Sequence, residues 1–138
     1  KQAKVAKHFG KGVRYARQQL YASFDLGIHD ADAPEPMGLW AKMEGATPLG
    51  HVSGTMFPAG FSHLAGGYAA GYYGYLWSEV VAADLRTAFE ADKLSPVVGG
   101  RYRNLILGNG GQRPPQDIVR GFLGRPTDAK AFYKELSQ

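Results

Sequence analysis

The chain has 138 residues, of which 44% are apolar and 20% charged, as expected for about one globular domain. It contains no cysteine, which excludes disulfides and thiolate metal sites. No apolar run approaches the ~20 residues needed to cross a bilayer, and the first residues show no signal-peptide pattern. We therefore expect a cytoplasmic protein with no membrane partner.

The net charge of +4 raises the question of a nucleic-acid partner. Most of the excess lies in six early basic residues: Lys1, Lys4, Lys7, Lys11, Arg14 and Arg17. They recur every three or four residues, so they line one side of a helical region. The opposite side carries an apolar stripe: Val5, Phe9, Val13, Leu20 and Phe24. This pattern is typical of the solvated face of an amphipathic helix, and we predict no nucleic-acid partner.

Glycines and prolines divide the first half of the chain. Gly10 and Gly12 interrupt the first helical pattern, and the prolines of Asp30–Pro36 disfavour a helix there. The spacing of apolar residues predicts helices over residues 1–9, Val13–His29 and Met37–Met43. Residues Glu44–Gly67 are the least regular part of the chain.

The second half carries local signals for four helices. The first is predicted over Ala69–Ala91, roughly 35 Å if straight. Ser95 can cap a second helix, because its hydroxyl can accept a free amide and the proline that follows fits the first helical position. A third begins at Pro114-Pro115 and closes at Gly124, and Thr127 is expected to cap the last.

The predicted fold class is mainly α, because neither strand alternation nor an internal repeat is evident. We predict a single helical unit over residues 1–138, with a Gly/Tyr-rich loop before a long helix. The chain begins with Lys rather than Met and opens without an N-cap signal. We therefore expect a C-terminal fragment of a longer protein, whose exposed apolar surface favours self-association.

The segment Phe61–Trp77 is the densest in candidate functional groups. It holds one histidine, four of the eight tyrosines and four glycines. Glycine lets the backbone bend and approach a ligand closely, and tyrosines add hydroxyl donors on rigid apolar rings. Such hydroxyls can stabilise a carbonyl oxygen as it gains charge during peptide hydrolysis.

The tyrosine spacing leaves two arrangements open. Tyr68, Tyr72 and Tyr75 are spaced i, i+4 and i+7, so they share one face if the helix begins by Tyr68. If the helix begins later, Tyr68 lies on the preceding loop. Tyr73 and Trp77 fall on another face, and we predict that they pack into the core.

The sequence contains no motif for a metal or a nucleophile. The four histidines, His8, His29, His51 and His63, lack zinc-ligand spacing, and no His-Glu-x-x-His segment occurs. Ser62 lacks the Gly-x-Ser-x-Gly environment of a hydrolase nucleophile.

The segment Phe61–Glu79 resembles the C-terminal region of the thimet oligopeptidase family. These are zinc metallopeptidases that include oligopeptidase A, neurolysin and the bacterial dipeptidyl carboxypeptidases. The likeness covers nearly the whole chain. Arg17–Leu20, Phe24–Leu26 and His29 resemble the family's helix before this loop, and Phe122–Arg125 resembles a closing segment.

The resemblance implies roles for individual residues. It assigns Tyr68 and Tyr75 as catalytic, orienting the substrate and stabilising the tetrahedral intermediate. The substrate-binding residues that it implies are His63, Tyr72, Gly66 and Gly67. In the family, the corresponding loop flanks the active-site channel and is thought to move on substrate binding.

The family's zinc half lies upstream of the matched region. There, two histidines of His-Glu-x-x-His and a later glutamate hold the metal, and the motif's glutamate is the general base. The resemblance thus implies that zinc belongs to the full-length enzyme, a metalloendopeptidase or peptidyl-dipeptidase, with no metal ligands in this chain. The implied partners are a short peptide substrate and the remaining N-terminal part of the peptidase. We expect the isolated chain to be inactive.

The same residues leave two other functions open. One is a non-catalytic α-helical module whose Gly/Tyr loop binds a peptide or a partner helix. The other is stacking of single-stranded nucleic acid on the tyrosines, which requires interleaved basic residues. No Lys or Arg lies between Phe61 and Glu79, which disfavours the second.

Overall fold

The computed structural model describes residues 6, 8–32 and 34–137, and within them it is helical and contains no strand. The helices are α1 Lys11–Ile28, α2 Pro36–Gly45, α3 Phe57–Gly60, α4 Tyr73–Thr87, α5 Pro96–Leu105, α6 Pro115–Leu123 and α7 Lys130–Leu136. Single 3₁₀ turns occupy Ser62–Leu64 and Leu107–Asn109. The mainly α prediction is confirmed. Most of the predicted helix over residues 1–9, together with Val5 of the apolar stripe, lies outside the described residues.

The chain divides into two compact units, Lys1–Leu76 and Trp77–Gln138, with the boundary inside α4. That the whole chain forms one helical unit of a larger catalytic domain stays a prediction. None of the helices in the described ranges combines the length and apolarity that a bilayer crossing requires.

The core of the first unit is aromatic. Its buried apolar residues are Leu20, Ala22, Phe24, Trp40, Phe61 and Tyr72. Tyr21 stacks on Phe57 with ring centroids 4.7 Å apart, and Phe24 meets Trp40 edge-on at 5.2 Å. Such pairs stabilise by about 0.5–1.5 kcal/mol beyond the area they bury. The Gly/Tyr loop, residues 61–72, packs on this aromatic core and leads into α4.

The helices of the first unit begin where local chemistry predicts. At the start of α2, the Glu35 carboxylate accepts the amides of Met37 and Gly38 at 2.8 and 2.6 Å, and Pro36 occupies the first position. At the end of α1, Nδ1–H of His29 donates to the Asp25 carbonyl at 2.7 Å. The predicted helices over Val13–His29 and Met37–Met43 are confirmed, with ends shifted by one or two residues.

The second unit has its own core. Phe122 is fully buried, with its ring centroid 5.7 Å from that of Tyr102 and 6.2 Å from that of Phe89. The predicted cap at Ser95 is confirmed, since its hydroxyl accepts the Val98 amide at 3.4 Å. Gly124 ends α6 in a left-handed conformation, φ 73°, which favours glycine.

An ion pair between buried Asp84 and partly exposed Arg125 joins α4 to the segment after α6 within the second unit. Asp84 is fully buried, and its carboxylate accepts N–H groups of Arg125 at 2.9 and 2.5 Å and the Asp128 amide at 2.9 Å. The hydrogen bonds from Arg125 lower the pKa of Asp84 below its ordinary value, against the opposing effect of burial.

The predicted limits of the long helix are wrong. It was expected over Ala69–Ala91 and instead begins at Tyr73 and ends at Thr87. The preceding residues form turns, and Ala70 has a left-handed φ of 56°, which a right-handed helix cannot contain. The prediction that Tyr73 and Trp77 pack into the core is also wrong, because they are 53% and 63% exposed.

Two further expectations are corrected. Leu20 and Phe24 of the apolar stripe are buried, but Phe9 and Val13 are 90% and 52% exposed. Left-handed Gly10 separates Phe9 from α1 and breaks its register with the helix. Thr127 does not cap α7.

Ala129 is the N-cap residue of α7 and supplies no side-chain cap, and the neighbouring Asp128 provides an acceptor. Helix α7 begins at Lys130, and its first amide donates to the Asp128 carboxylate at 2.9 Å.

We predict that Asp84→Asn lowers the free energy of unfolding by about 1.5–3 kcal/mol at neutral pH, because charged hydrogen bonds are lost. The folded pKa of Asp84 lies below its unfolded value, so its stabilisation is complete above the unfolded pKa, about 3.9. It is lost as pH falls through the folded pKa. The gap between wild type and variant, measured by urea unfolding, should therefore narrow in acid.

Asp32→Asn is the matched control, since Asp32 lies on an exposed turn. Its stability should stay within about 0.5 kcal/mol of wild type. A gap between wild type and Asp84→Asn that stays constant from neutral pH into acid would contradict the prediction.

Candidate active site

The Gly/Tyr loop is anchored in the aromatic core at both ends. Phe61 at its start and Tyr72 near its end are each 9% exposed, and their rings meet edge-on at 5.0 Å. Between these anchors the chain makes a 3₁₀ turn and further turns, and residues 65–69 are exposed. The loop is therefore an exposed segment between two fixed points.

Three of the predicted residues come together where this loop meets the first turn of α4. Nε2 of His63 lies 3.2 Å from the hydroxyl of Tyr75, within hydrogen-bonding distance. The Tyr68 ring lies 5.4 Å from the Tyr75 ring and 6.0 Å from His63. Tyr68 and Tyr75 are 44% and 43% exposed, so the His63–Tyr68–Tyr75 cluster presents polar groups to solvent.

Tyr68 lies on the loop, so the second of the two arrangements left open by its spacing is confirmed. Its carbonyl accepts the Gly71 amide at 3.0 Å, closing a turn whose third residue is left-handed Ala70. A Cβ at position 71 would come within 3.0 Å of the same carbonyl oxygen. Glycine at 71 therefore allows the close approach that brings Tyr68 beside Tyr75.

The predicted substrate-binding glycines lie on an exposed turn. A Cβ at Gly66 would meet the Ser62 carbonyl oxygen at 3.3 Å, whereas one at Gly67 would meet nothing within 4 Å. Both backbones are accessible to a ligand, and their role in binding stays a prediction.

Tyr72 lies beneath the cluster. Its hydroxyl donates to Oε1 of Gln18 at 3.1 Å, and its ring centroid is 5.1 Å from that of His63 and 4.9 Å from that of Tyr75. Burial raises its pKa above the ordinary value for tyrosine, more than the bond to Gln18 lowers it. Tyr72 supports the rings above it, and its contact with substrate stays a prediction.

Sequence reasoning missed Asp25, which holds the end of the loop. Its side chain is fully buried, and its two oxygens accept the amides of Ala70 at 3.1 Å and Tyr72 at 2.9 Å. The available signal was an acid beside Phe24 on the apolar side of a helix. Aspartate is rarely buried without a partner, so a hydrogen-bond donor from another segment could have been expected at this position.

The described residues do not fit a zinc ion. No group of three or more His, Asp or Glu side chains among them could hold a metal. The histidines that meet carboxylates do so in pairs, as with His51 and Glu44 at 2.8 Å, whereas zinc sites use at least three protein ligands.

The sequence model of peptidase family M3 matches residues 1–138. The chain belongs to peptidase family M3. This confirms the family predicted from the motif of the Gly/Tyr loop.

Curated relatives agree with membership in M3. Saccharolysin of Saccharomyces cerevisiae is 34% identical over 94% of this chain and 19% of its own length. Oligopeptidase A of Escherichia coli is 35% identical over 93% of this chain and 20% of its own length. Probable cytosolic oligopeptidase A of Arabidopsis thaliana is 36% identical over 88% of this chain and 19% of its own length. The chain thus spans about a fifth of the length of these relatives.

We predict that Tyr72→Phe lowers the free energy of unfolding by about 1 kcal/mol, because Gln18 loses its hydroxyl partner. Urea unfolding of the 138-residue chain measures this. The control is Tyr73→Phe, which removes an exposed hydroxyl from the next residue and should change stability by less than about 0.5 kcal/mol. Equal stabilities for the two variants would refute the supporting role of Tyr72.

Proposed function

We propose that this chain is part of a peptidase that hydrolyses short peptides, and that the His63–Tyr68–Tyr75 cluster lines its substrate channel. Membership in peptidase family M3 supports the reaction class, and the relatives named oligopeptidase A support short peptides as substrates. The observation that carries the proposal is the 3.2 Å contact between His63 and Tyr75, with the Tyr68 ring alongside. It places three hydrogen-bonding side chains on one exposed surface.

The proposed chemistry follows from the donors. Hydrolysis of an amide builds negative charge on the carbonyl oxygen, and donors already in place stabilise that charge. The Tyr75 hydroxyl donates to this oxygen, and Tyr68 beside it orients the substrate. His63 donates a ring N–H to a substrate carbonyl. In the free chain His63 and Tyr75 contact each other. Substrate binding exchanges that internal hydrogen bond for one from His63, and the bond from Tyr75 forms as charge develops in the transition state.

The remaining site residues complete the proposed surface. Gly66 and Gly67 carry no side chain on the exposed turn, so a peptide backbone can approach theirs closely. Only a small part of the Tyr72 side chain is exposed there, so we propose a minor contact with substrate for this residue.

The rest of the proposal concerns the complete protein. It is a zinc metallopeptidase whose ligands lie outside this chain, and the remaining N-terminal part of the peptidase is a partner of the surface described. We place it in the cytoplasm, as for the Arabidopsis relative named probable cytosolic oligopeptidase A. Exposed side chains such as Phe9 and Leu94, each about 90% exposed, favour self-association of the isolated chain.

Replacing Tyr75 by Phe in the complete peptidase tests the central role. We expect kcat to fall about 10²- to 10³-fold, the usual effect of losing one such donor. KM should change little, because the interaction forms in the transition state. Initial rates on a quenched fluorescent peptide measure both constants.

Tyr73→Phe is the matched control for this variant. Tyr73 is exposed, lies two residues away and is not in the cluster, so its variant should keep wild-type kcat. If both variants turn over at the wild-type rate, Tyr75 is not catalytic.

The isolated 138-residue chain should not hydrolyse peptides, with or without added zinc. The described residues supply the donors of the cluster but no group of three metal ligands. Incubation with a short peptide and mass spectrometry checks this, with the complete peptidase as positive control. Zinc-dependent cleavage that co-purifies with the chain and disappears in Tyr75→Phe would refute it.

A further inference from the structure

The first unit buries the carboxylate of Asp25, which would be strongly destabilising without hydrogen-bond partners. Its side chain has no solvent exposure, yet both carboxylate oxygens have partners. Oδ1 accepts the Ala70 amide at 3.1 Å, and Oδ2 accepts the Tyr72 amide at 2.9 Å. Nδ1 of His29 lies 3.3 Å from Oδ1. A side chain of α1 thus holds the backbone at the far end of the Gly/Tyr loop.

The two bonded amides belong to a conformation that alanine disfavours. Ala70 has φ 56°, in the left-handed region that non-glycine residues rarely adopt. Such strain persists only where surrounding contacts impose it, and it is common at functional sites. The amides of Ala70 and Tyr72 flank Gly71, so Asp25 imposes the turn from both sides.

Backbone hydrogen bonds connect this turn to both catalytic tyrosines. The Tyr72 carbonyl accepts the Tyr75 amide at 3.1 Å, so the residue held by Asp25 begins the turn that carries Tyr75. The Tyr68 carbonyl accepts the Gly71 amide at 3.0 Å. His63, by contrast, lies on the separate 3₁₀ turn Ser62–Leu64.

We propose that Asp25 is the positioning residue of the candidate active site, holding Tyr68 and Tyr75 in register through the amides of Ala70 and Tyr72. The inference rests on the proposed function of those tyrosines. Asp25 itself touches no substrate. It fixes the loop geometry from which the two hydroxyls act.

Asp25→Asn in the complete peptidase tests this role. Asparagine nearly preserves the shape but places an NH₂ group against one of the two amides, so the turn loses a partner. We expect kcat to fall at least about tenfold, since displaced donors stabilise the transition state poorly. KM should change less than about threefold, because His63 stays in place.

Asp84→Asn is the matched control. Asp84 is the other fully buried aspartate among the described residues, and it lies in the second unit. Its variant should lose stability while keeping the wild-type kcat. If the two variants lose similar stability and both keep kcat, Asp25 is merely structural and the proposal fails.

Ala70→Gly in the Asp25→Asn background distinguishes a positioning role from a merely structural one, because only a positioning role predicts recovery of kcat. Glycine adopts a left-handed φ without strain, so the turn then needs less from Asp25. In the Asp25→Asn background, Ala70→Gly should recover kcat by at least about threefold. If kcat does not recover, Asp25 does not position the tyrosines through the turn at Ala70.

Amide hydrogen exchange in the 138-residue chain separates this inference from the proposed function. In Asp25→Asn, the Tyr72 and Ala70 amides should exchange at least about tenfold faster, and in Asp84→Asn they should not. Unchanged exchange overturns the positioning role whatever the kinetics show. Faster exchange combined with full activity of Tyr75→Phe instead removes the proposed catalytic role.

Ala70→Val keeps the test decisive if Asp25→Asn does not fold. A β-branched residue disfavours the left-handed φ and weakens the same turn without touching the buried carboxylate. The variant should lower kcat at least about tenfold with little change in KM. An unchanged kcat overturns the proposal.

Discussion

A carboxylate buried away from water needs hydrogen-bond donors. In the first unit, the donors to Asp25 are backbone amides of the loop that leads to the candidate site. Asp25 is fully buried on α1, where an unpaired carboxylate would be strongly destabilising. The amides of Ala70 and Tyr72 satisfy it. Helix α1 therefore cannot bury its apolar face without drawing the end of the Gly/Tyr loop onto it, and the position of the site follows from that requirement.

The aromatic core makes this contact stiff. The Tyr72 ring packs edge-on against Tyr21 and Phe61, so the residue held by its backbone is also held by its side chain. Close-packed interiors transmit displacements rather than absorb them. The shape change that the family resemblance implies on substrate binding is therefore expected within the exposed turn around Gly66 and Gly67.

The sequence predicted those features whose causes are local. The starts of α2, α5 and α6 each depend on a proline and, at Glu35 and Ser95, on a capping side chain within three residues. The turn that precedes α4 is bound by Asp25, which is 45 and 47 residues from the two amides that it accepts. His63 and Tyr75 could be identified from their motif, but no periodicity predicts the left-handed turn at Ala70 that precedes Tyr75.

Comparison of the two buried aspartates shows why the donor type matters. Asp84 is held by the Arg125 guanidinium as well as one amide, and a long side chain can follow a carboxylate that shifts. Asp25 is held by two backbone amides, whose positions the chain itself fixes. Preorganised donors must be held to within about 0.5 Å of their working geometry. Backbone amides meet that tolerance better than a flexible cation, so the unit that carries the tyrosines is the one whose buried charge is bound by backbone.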